Sequence, residues 1–303
     1  MKISVSLSKL KLRNPTMLAS GIIGISGKLL LRAANEGAGA VVTKSIGPES
    51  RRGYDNPCLT EVFKNTYLNA MGLPNPGVKF FTKELKIAKG GDVPVIVSVF
   101  GTTPSEFAYV ASEMEKAGAD AVELNVSCPH AEVAIIGQSC ELVSETVKEV
   151  KKAVKIPIFV KLNPNVTDIV EIAEEAEKAG ADAITAINTI RAMVIDINTC
   201  KPILSNRIGG LSGEALRPIA VRCVYEIYEH VRIPIIAVGG ILHWSHAIEH
   251  ILAGATAVQI GTGLVNGFQI FQEISMGIKK YLEERGYQSI QEIIGIAHQE
   301  GGN

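Results

Sequence analysis

Glu115-Lys116-Ala117-Gly118-Ala119-Asp120-Ala121 and Glu177-Lys178-Ala179-Gly180-Ala181-Asp182-Ala183 are the same heptapeptide written twice. Each copy closes an amphipathic stretch that follows a Pro-led apolar run, Val93-Pro94-Val95-Ile96-Val97 in one case and Ile156-Pro157-Ile158-Phe159-Val160 in the other. Such runs, rich in β-branched residues and without polar alternation, read as strands buried on both faces. The glycine suits the left-handed position that ends a helix before the chain turns into a strand. Each unit is therefore strand, helix, turn, strand, and the plan recurs from Pro15 to Gly37 and from Pro234 to Gly254. Four units predict eight strands, at 16–20, 40–45, 94–99, 121–126, 157–162, 183–187, 234–238 and 257–260. Their economical closure is an α/β fold, a (β/α)8 TIM barrel. A doubly wound open sheet is the alternative, but it calls for a marked switch point in strand order. Uneven spacing puts insertions after strands 2, 4 and 6, and in barrels the loops after strands form the functional face. Residues 1–303 read as one domain, with the alternation of Lys2 to Leu7 suggesting a further strand at the start.

The chain has 303 residues, 47% of them hydrophobic, and a net charge of -1 from 30 basic and 31 acidic residues. Those charges are dispersed, which gives no electrostatic footprint for nucleic acid or an anionic membrane. The apolar runs fall short of the roughly 20 residues that span a bilayer, and no leader pattern stands at Met1, so a cytoplasmic location is expected. Five cysteines, Cys58, Cys128, Cys140, Cys200 and Cys223, include no Cys-x-x-Cys pair. No metal site is expected, and any iron–sulfur cluster must come from another chain.

Chemistry-bearing residues should sit at strand ends, where Lys44, Asn125, Cys128, Lys161 and Asn188 fall. A lysine inside Ile158-Phe159-Val160-Lys161-Leu162 either snorkels to solvent or meets an anion or polar group, because unpaired buried charge is costly. The turns Gly239-Gly240 and Gly261-Thr262-Gly263 lie where barrels commonly hold a phosphate on backbone N–H groups, although any one of them also reads as an ordinary turn. Gly209-Gly210-Leu211-Ser212-Gly213, before a helix expected near Glu214, would add exposed amides. Cys128, in Asn125-Val126-Ser127-Cys128-Pro129-His130, is placed to present a thiol at the barrel mouth, whereas the other four cysteines read as small buried hydrophobes. His130 either tunes that thiol or is a loop histidine. Asn69-Ala70-Met71-Gly72-Leu73-Pro74-Asn75-Pro76-Gly77 is too rich in turn formers for a helix or strand and can bend around a ligand. With Asn125 and Asn188 it supplies the neutral amides expected for a planar, many-acceptor substrate.

The Asn69 to Gly77 loop, Asn125-Val126-Ser127-Cys128-Pro129, Val160-Lys161-Leu162, Gly210-Leu211-Ser212-Gly213 and Val238-Gly239-Gly240-Ile241 together resemble, in order and across nearly the whole chain, the soluble cysteine-type dihydroorotate dehydrogenases of pyrimidine biosynthesis. The resemblance implies one FMN-binding barrel. Ser20, Gly21, Lys44, Ser45, Ser98, Asn125, Lys161 and Ile187 would touch the flavin, with Gly213, Gly239, Gly240, Gly261 and Thr262 near its phosphate. Lys44, Asn69, Ala70, Met71, Gly72, Leu73, Asn125, Asn188 and Thr189 would hold orotate, with Lys44 and Cys128 in the catalytic set. Cys128 would take the C5 proton of dihydroorotate while hydride passes from C6 to flavin N5, and Lys161 would stabilise charge on the reduced ring.

Within the family the resemblance favours the NAD-linked type, a homodimer of catalytic chains joined by a subunit carrying FAD and a 2Fe-2S cluster in a heterotetramer. A fumarate-linked homodimer, a dihydropyrimidine dehydrogenase-type enzyme and a non-catalytic flavin-binding barrel are the other readings. Two departures stand out. Ser98 occupies a place where many relatives have an asparagine, and Ala131 to Gln138 is less glycine-rich than the family's mobile lid.

Overall fold

The computed structural model describes residues 1–126 and 136–299. Eight parallel strands close into a barrel, β1 (Thr16–Leu18), β2 (Ala40–Val42), β3 (Val95–Val99), β4 (Ala121–Asn125), β5 (Ile158–Lys161), β6 (Ala183–Ala186), β7 (Ile235–Val238) and β8 (Ala255–Ile260). They neighbour one another in chain order, and β8 pairs with β1 to remove both edges. The open-sheet alternative is thereby excluded. A helix follows each strand: α1 (Gly27–Asn35), α2 (Val78–Ala88), α3 (Pro104–Lys116), α4 (Cys140–Ala153), α5 (Ile169–Ala179), α6 (Arg217–His230), α7 (Trp244–Leu252) and α8 (Ile270–Glu284). Their apolar stripes cover the barrel, and all five residues of β3 and of β4 are buried, as a sheet covered on both faces requires.

The repeated heptapeptide is a stitching device. Its glycine closes the helix in a left-handed conformation, with φ of 102° at Gly118 and 105° at Gly180, and Gly37 and Gly254 do the same at 108° and 122°. Its glutamate reaches forward to the next unit. Glu115 Oε1 accepts hydrogen bonds from the amides of Lys155 and Ile156 at 2.8 and 3.1 Å, and Glu177 Oε1 from those of Arg232 and Ile233 at 2.8 and 3.0 Å. Its aspartate reaches back, Asp120 accepting from the Val95 amide at 2.7 Å and Asp182 from that of Ile158 at 2.9 Å. Lys89 and Lys151 pair with those aspartates at 2.6 and 2.9 Å. One short sequence thus satisfies backbone donors at strand entrances that would otherwise be orphaned.

The antiparallel pairing of the insertions was not foreseen. The insertions after β2 and β6 meet in a four-stranded sheet, ordered Ile190–Ala192, Gly209–Gly213, Thr66–Asn69 and Leu59–Phe63. Asn69, expected in a loop, is the last residue of one of these strands. Gly209 to Gly213, expected to offer exposed amides, instead pairs on both sides, with Asn69 opposite Gly210 and Ile190 opposite Leu211. A 3-10 turn, Glu214–Leu216, then leads into α6. The N-terminal strand is shorter than expected, Val5–Leu7, and pairs antiparallel with Leu10–Leu12 outside the barrel. Its buried Val5, Leu7 and Leu12 join the core at the end where β1 begins. No described helix is long and apolar enough to cross a membrane.

Candidate active site

The C-terminal ends of the strands open into a cleft of about 390 Å³, roofed by the four-stranded sheet. Lys44 enters just beyond β2 and Lys161 from the last position of β5, only 6% and 5% exposed. Their ammonium groups have different partners. Lys44 Nζ donates to the Gly21 carbonyl at 2.8 Å, while Lys161 Nζ donates to Ser20 Oγ at 3.1 Å and lies 3.8 Å from Glu123 Oε1. Burial lowers the Lys44 pKa from its ordinary value, an effect that the nearby Cys58 partly offsets. Among the described residues lining the cleft, these two are the charged ones, and no carboxylate lines it. That makes an electropositive hollow suited to an anion.

Neutral donors and acceptors complete the floor. Asn125, at the end of β4, donates from Nδ2 to Ser45 Oγ at 2.9 Å and accepts on Oδ1 from Asn188 Nδ2 at 3.3 Å. The Thr189 amide donates to Asn188 Oδ1 at 2.8 Å, so the start of the β6 insertion is tied to the side chain it presents. Behind it Asn165 Nδ2 donates to the Thr189 carbonyl and Asn165 Oδ1 accepts from the Arg191 amide at 2.8 Å.

At the β7 and β8 end the wall is bare backbone. Gly240 has φ 70°, and a Cβ there would stand 2.5 Å from Arg217 Cβ, so both the conformation and the space demand glycine. His250, fully buried, meets the Gly239 carbonyl at 3.0 Å through Nε2. A carbonyl only accepts, so Nε2 carries the hydrogen. Burial depresses this imidazole to about 4, which keeps it neutral in that role. Thr262 Oγ1 donates to or accepts from Ser212 Oγ at 3.0 Å, linking the turn after β8 to the roofing sheet.

A family model described as dihydroorotate dehydrogenase matches residues 2–282. The chain belongs to the dihydroorotate dehydrogenase family. Proteins named dihydroorotate dehydrogenase B (NAD(+)), catalytic subunit, are similar over nearly their whole length. That of Methanocella arvoryzae is 52% identical over 302 residues, covering 98% of this chain and 98% of the relative. That of Pyrococcus abyssi is 51% identical over 298 residues, covering 97% and 99%, and that of Methanothermobacter thermautotrophicus 48% identical over 301 residues, covering 98% of each.

The dihydroorotate dehydrogenase motifs converge on the one cleft. Ser20, Gly21, Lys44, Ser45, Asn125, Lys161 and Ile187 line its floor, and Gly213, Gly239, Gly240, Gly261 and Thr262 one end. Asn69 to Leu73 with Asn188 and Thr189 also line it. Ser98 does not reach the cleft. It is fully buried behind Ser45, whose hydroxyl it meets at 2.9 Å, and so touches the floor only through that residue. Cys128 and His130 lie outside the described residues. Of the cysteines expected to be buried hydrophobes only Cys223 is; Cys58 and Cys140 are half-buried and Cys200 is exposed, because Cys58 lies in the β2 insertion, Cys140 in the first turn of α4 and Cys200 in the turn between Ile195–Asp196 and Lys201–Pro202, all outside the barrel core.

Sequence reasoning passed over Gln259, Tyr54, Leu59 and Tyr67, which line the cleft, and Glu123 beneath it. Gln259 and Glu123 carry the signal that singled out Lys161, a polar residue inside a near-continuous apolar strand. The aromatic and apolar residues carry none, because their place depends on the roofing sheet.

Proposed function

We propose that this chain oxidises dihydroorotate to orotate as the catalytic subunit of an NAD-linked dihydroorotate dehydrogenase. The observation that carries the reading is the pair of buried ammonium groups, Lys44 and Lys161, in a cleft whose described lining holds neutral amides and no carboxylate. The names of the relatives support the NAD-linked type.

The cleft suits FMN. Gln259 lines it with a buried Oε1 that has no hydrogen-bond partner among the described residues, an acceptor that a ring N–H would satisfy. The glycine turns leave backbone amides unobstructed where a phosphate needs them. FMN, when bound, supplies the acceptor for the C6 hydride. Ser20, Gly21, Ser45, Ile187 and Lys161 would hold its ring, and Gly213, Gly239, Gly240, Gly261 and Thr262 its phosphate. Ser98 would contribute through Ser45.

Lys44 pairs with the substrate carboxylate, while the amides of Asn69, Asn125 and Asn188, the Thr189 hydroxyl and the segment Ala70 to Leu73 orient the pyrimidine ring. Cys128, three residues beyond Asn125, removes the C5 proton as a thiolate. Lys161 would stabilise negative charge on the ring it holds, a role in which a buried ammonium counts for more than a solvated one. Electrons then leave through a separate subunit bearing FAD and a 2Fe-2S cluster, two copies of each chain forming a cytoplasmic heterotetramer. Purification of the chain tests this. A yellow protein that bleaches on dihydroorotate and not on dihydrouracil is expected; a colourless one, or one that turns over uracil or thymine alone, overturns the reading. Efficient fumarate reduction by the isolated chain would overturn the NAD-linked part.

A further inference from the structure

Glu123 sits inside the barrel directly beneath the cleft, fully buried on the middle of β4. Its Oε2 accepts from Thr185 Oγ1 at 3.1 Å and from Gln259 Nε2 at 2.5 Å, side chains that reach inward from β6 and β8. Its Oε1 has no hydrogen-bond partner among the described residues and faces Lys161 Nζ at 3.8 Å. A carboxylate this deep is costly unless a charge meets it, and its two hydrogen-bond partners are neutral. Lys161 has the mirror problem. Its only other polar partner in the described structure is the neutral Ser20 hydroxyl, and the other charged group lining the cleft, Lys44, has the same sign.

We propose that Glu123 is a positioning residue for the reaction, the buried counter-charge that holds the Lys161 side chain at the cleft floor, with Thr185 and Gln259 anchoring the carboxylate from β6 and β8. The inference rests on the flavin reading for its consequence but not for its geometry. Gln259 links the two, because it lines the cleft and grips Glu123 at once. Without the carboxylate, Lys161 is a buried cation facing only a hydroxyl, and it leaves its place at the floor.

Two measurements test it. In the empty chain, acetic anhydride labelling is read by peptide mass spectrometry as the rate at Lys161 relative to Lys44. Glu123→Gln should raise that ratio at least tenfold, since a lysine released from the floor meets the reagent that burial now keeps from it. Glu123→Asp, which draws the carboxylate back by one methylene, should raise it about threefold and serves if the glutamine variant does not fold. In the FMN-loaded chain the flavin's midpoint potential should fall in Glu123→Gln as far as it falls in Lys161→Met, with no further fall in the double variant. A merely structural role does not reproduce the fall in potential of Lys161→Met together with its absence of further effect in the double variant. An unchanged labelling ratio in both variants, or a potential that stays or rises in Glu123→Gln, overturns the proposal. A chain that binds no flavin defeats the functional reading, and the labelling experiment still decides the role of Glu123.

Discussion

Lys44 Nζ donates to the carbonyl of Gly21 across 2.8 Å, so a buried ammonium is held by a neutral acceptor and has no carboxylate beside it among the residues that line the cleft. On the proposed reading, the substrate carboxylate offsets its burial cost. Lys44→Met should cut turnover of dihydroorotate by about 10²-fold or more while the empty chain melts no lower than the parent. The pH dependence follows. Burial lowers the folded-state pKa of Lys44, so between that value and the unfolded one the unfolded chain binds more protons, and stability of the empty chain rises with pH in that window. Over the same window the KM for dihydroorotate should climb as the charge is lost. A variant with full turnover, or a melting curve that falls with pH only because of Lys44, would defeat this account.

Cys128→Ala should retain FMN and orotate binding yet slow flavin bleaching by dihydroorotate about 10²–10⁴-fold, the usual range for loss of a positioned base. In the parent, the bleaching rate should rise with pH toward the thiol range near about 8.5. Stopped-flow absorbance reads both, and near-parental bleaching in the alanine variant would remove Cys128 from the mechanism.

His250 governs acid stability. Its imidazole is depressed to about 4 against an ordinary 6.5, so between those values the unfolded chain takes up a proton that the folded chain refuses. Stability is complete above about 6.5 and lost as pH falls toward 4, by roughly 3 kcal/mol at about 1.4 kcal/mol per unit. In His250→Gln this part of the acid slope should vanish. Urea titrations at pH 7 and pH 5 give the comparison, and equal slopes in the two proteins would show that His250 is not the group responsible.

Glu177→Ala should cost about 1–3 kcal/mol, because the amides of Arg232 and Ile233 lose their shared acceptor at the entrance to β7. Glu115→Ala should cost a similar amount at the entrance to β5 for the same reason. Chemical denaturation checks both, and the stitching role fails if neither variant moves the midpoint.

Much of the molecule is written locally. A helix-closing glycine and an apolar run report their own conformations, so four Pro-to-Gly units, two of them closed by Glu-Lys-Ala-Gly-Ala-Asp-Ala, were enough to predict eight strands, and the observed β1 to β8 fall within or close to the expected ranges. Once strands alternate with helices in a closed parallel sheet, residues just past strand ends share one rim whatever separates them in sequence, which is why Lys44, Asn125, Lys161 and Asn188 could be grouped in advance. What the sequence could not disclose depends on pairing between distant segments. The roofing sheet joins a local hairpin, Leu59–Phe63 with Thr66–Asn69, to Gly209–Gly213, and that second pairing forms only after the barrel has brought two insertions together. The partners of buried charge are equally non-local. Glu123 and Lys161 lie on adjacent strands, but Gln259 reaches Glu123 from β8 across the barrel interior, and closure of the cylinder alone decides that meeting.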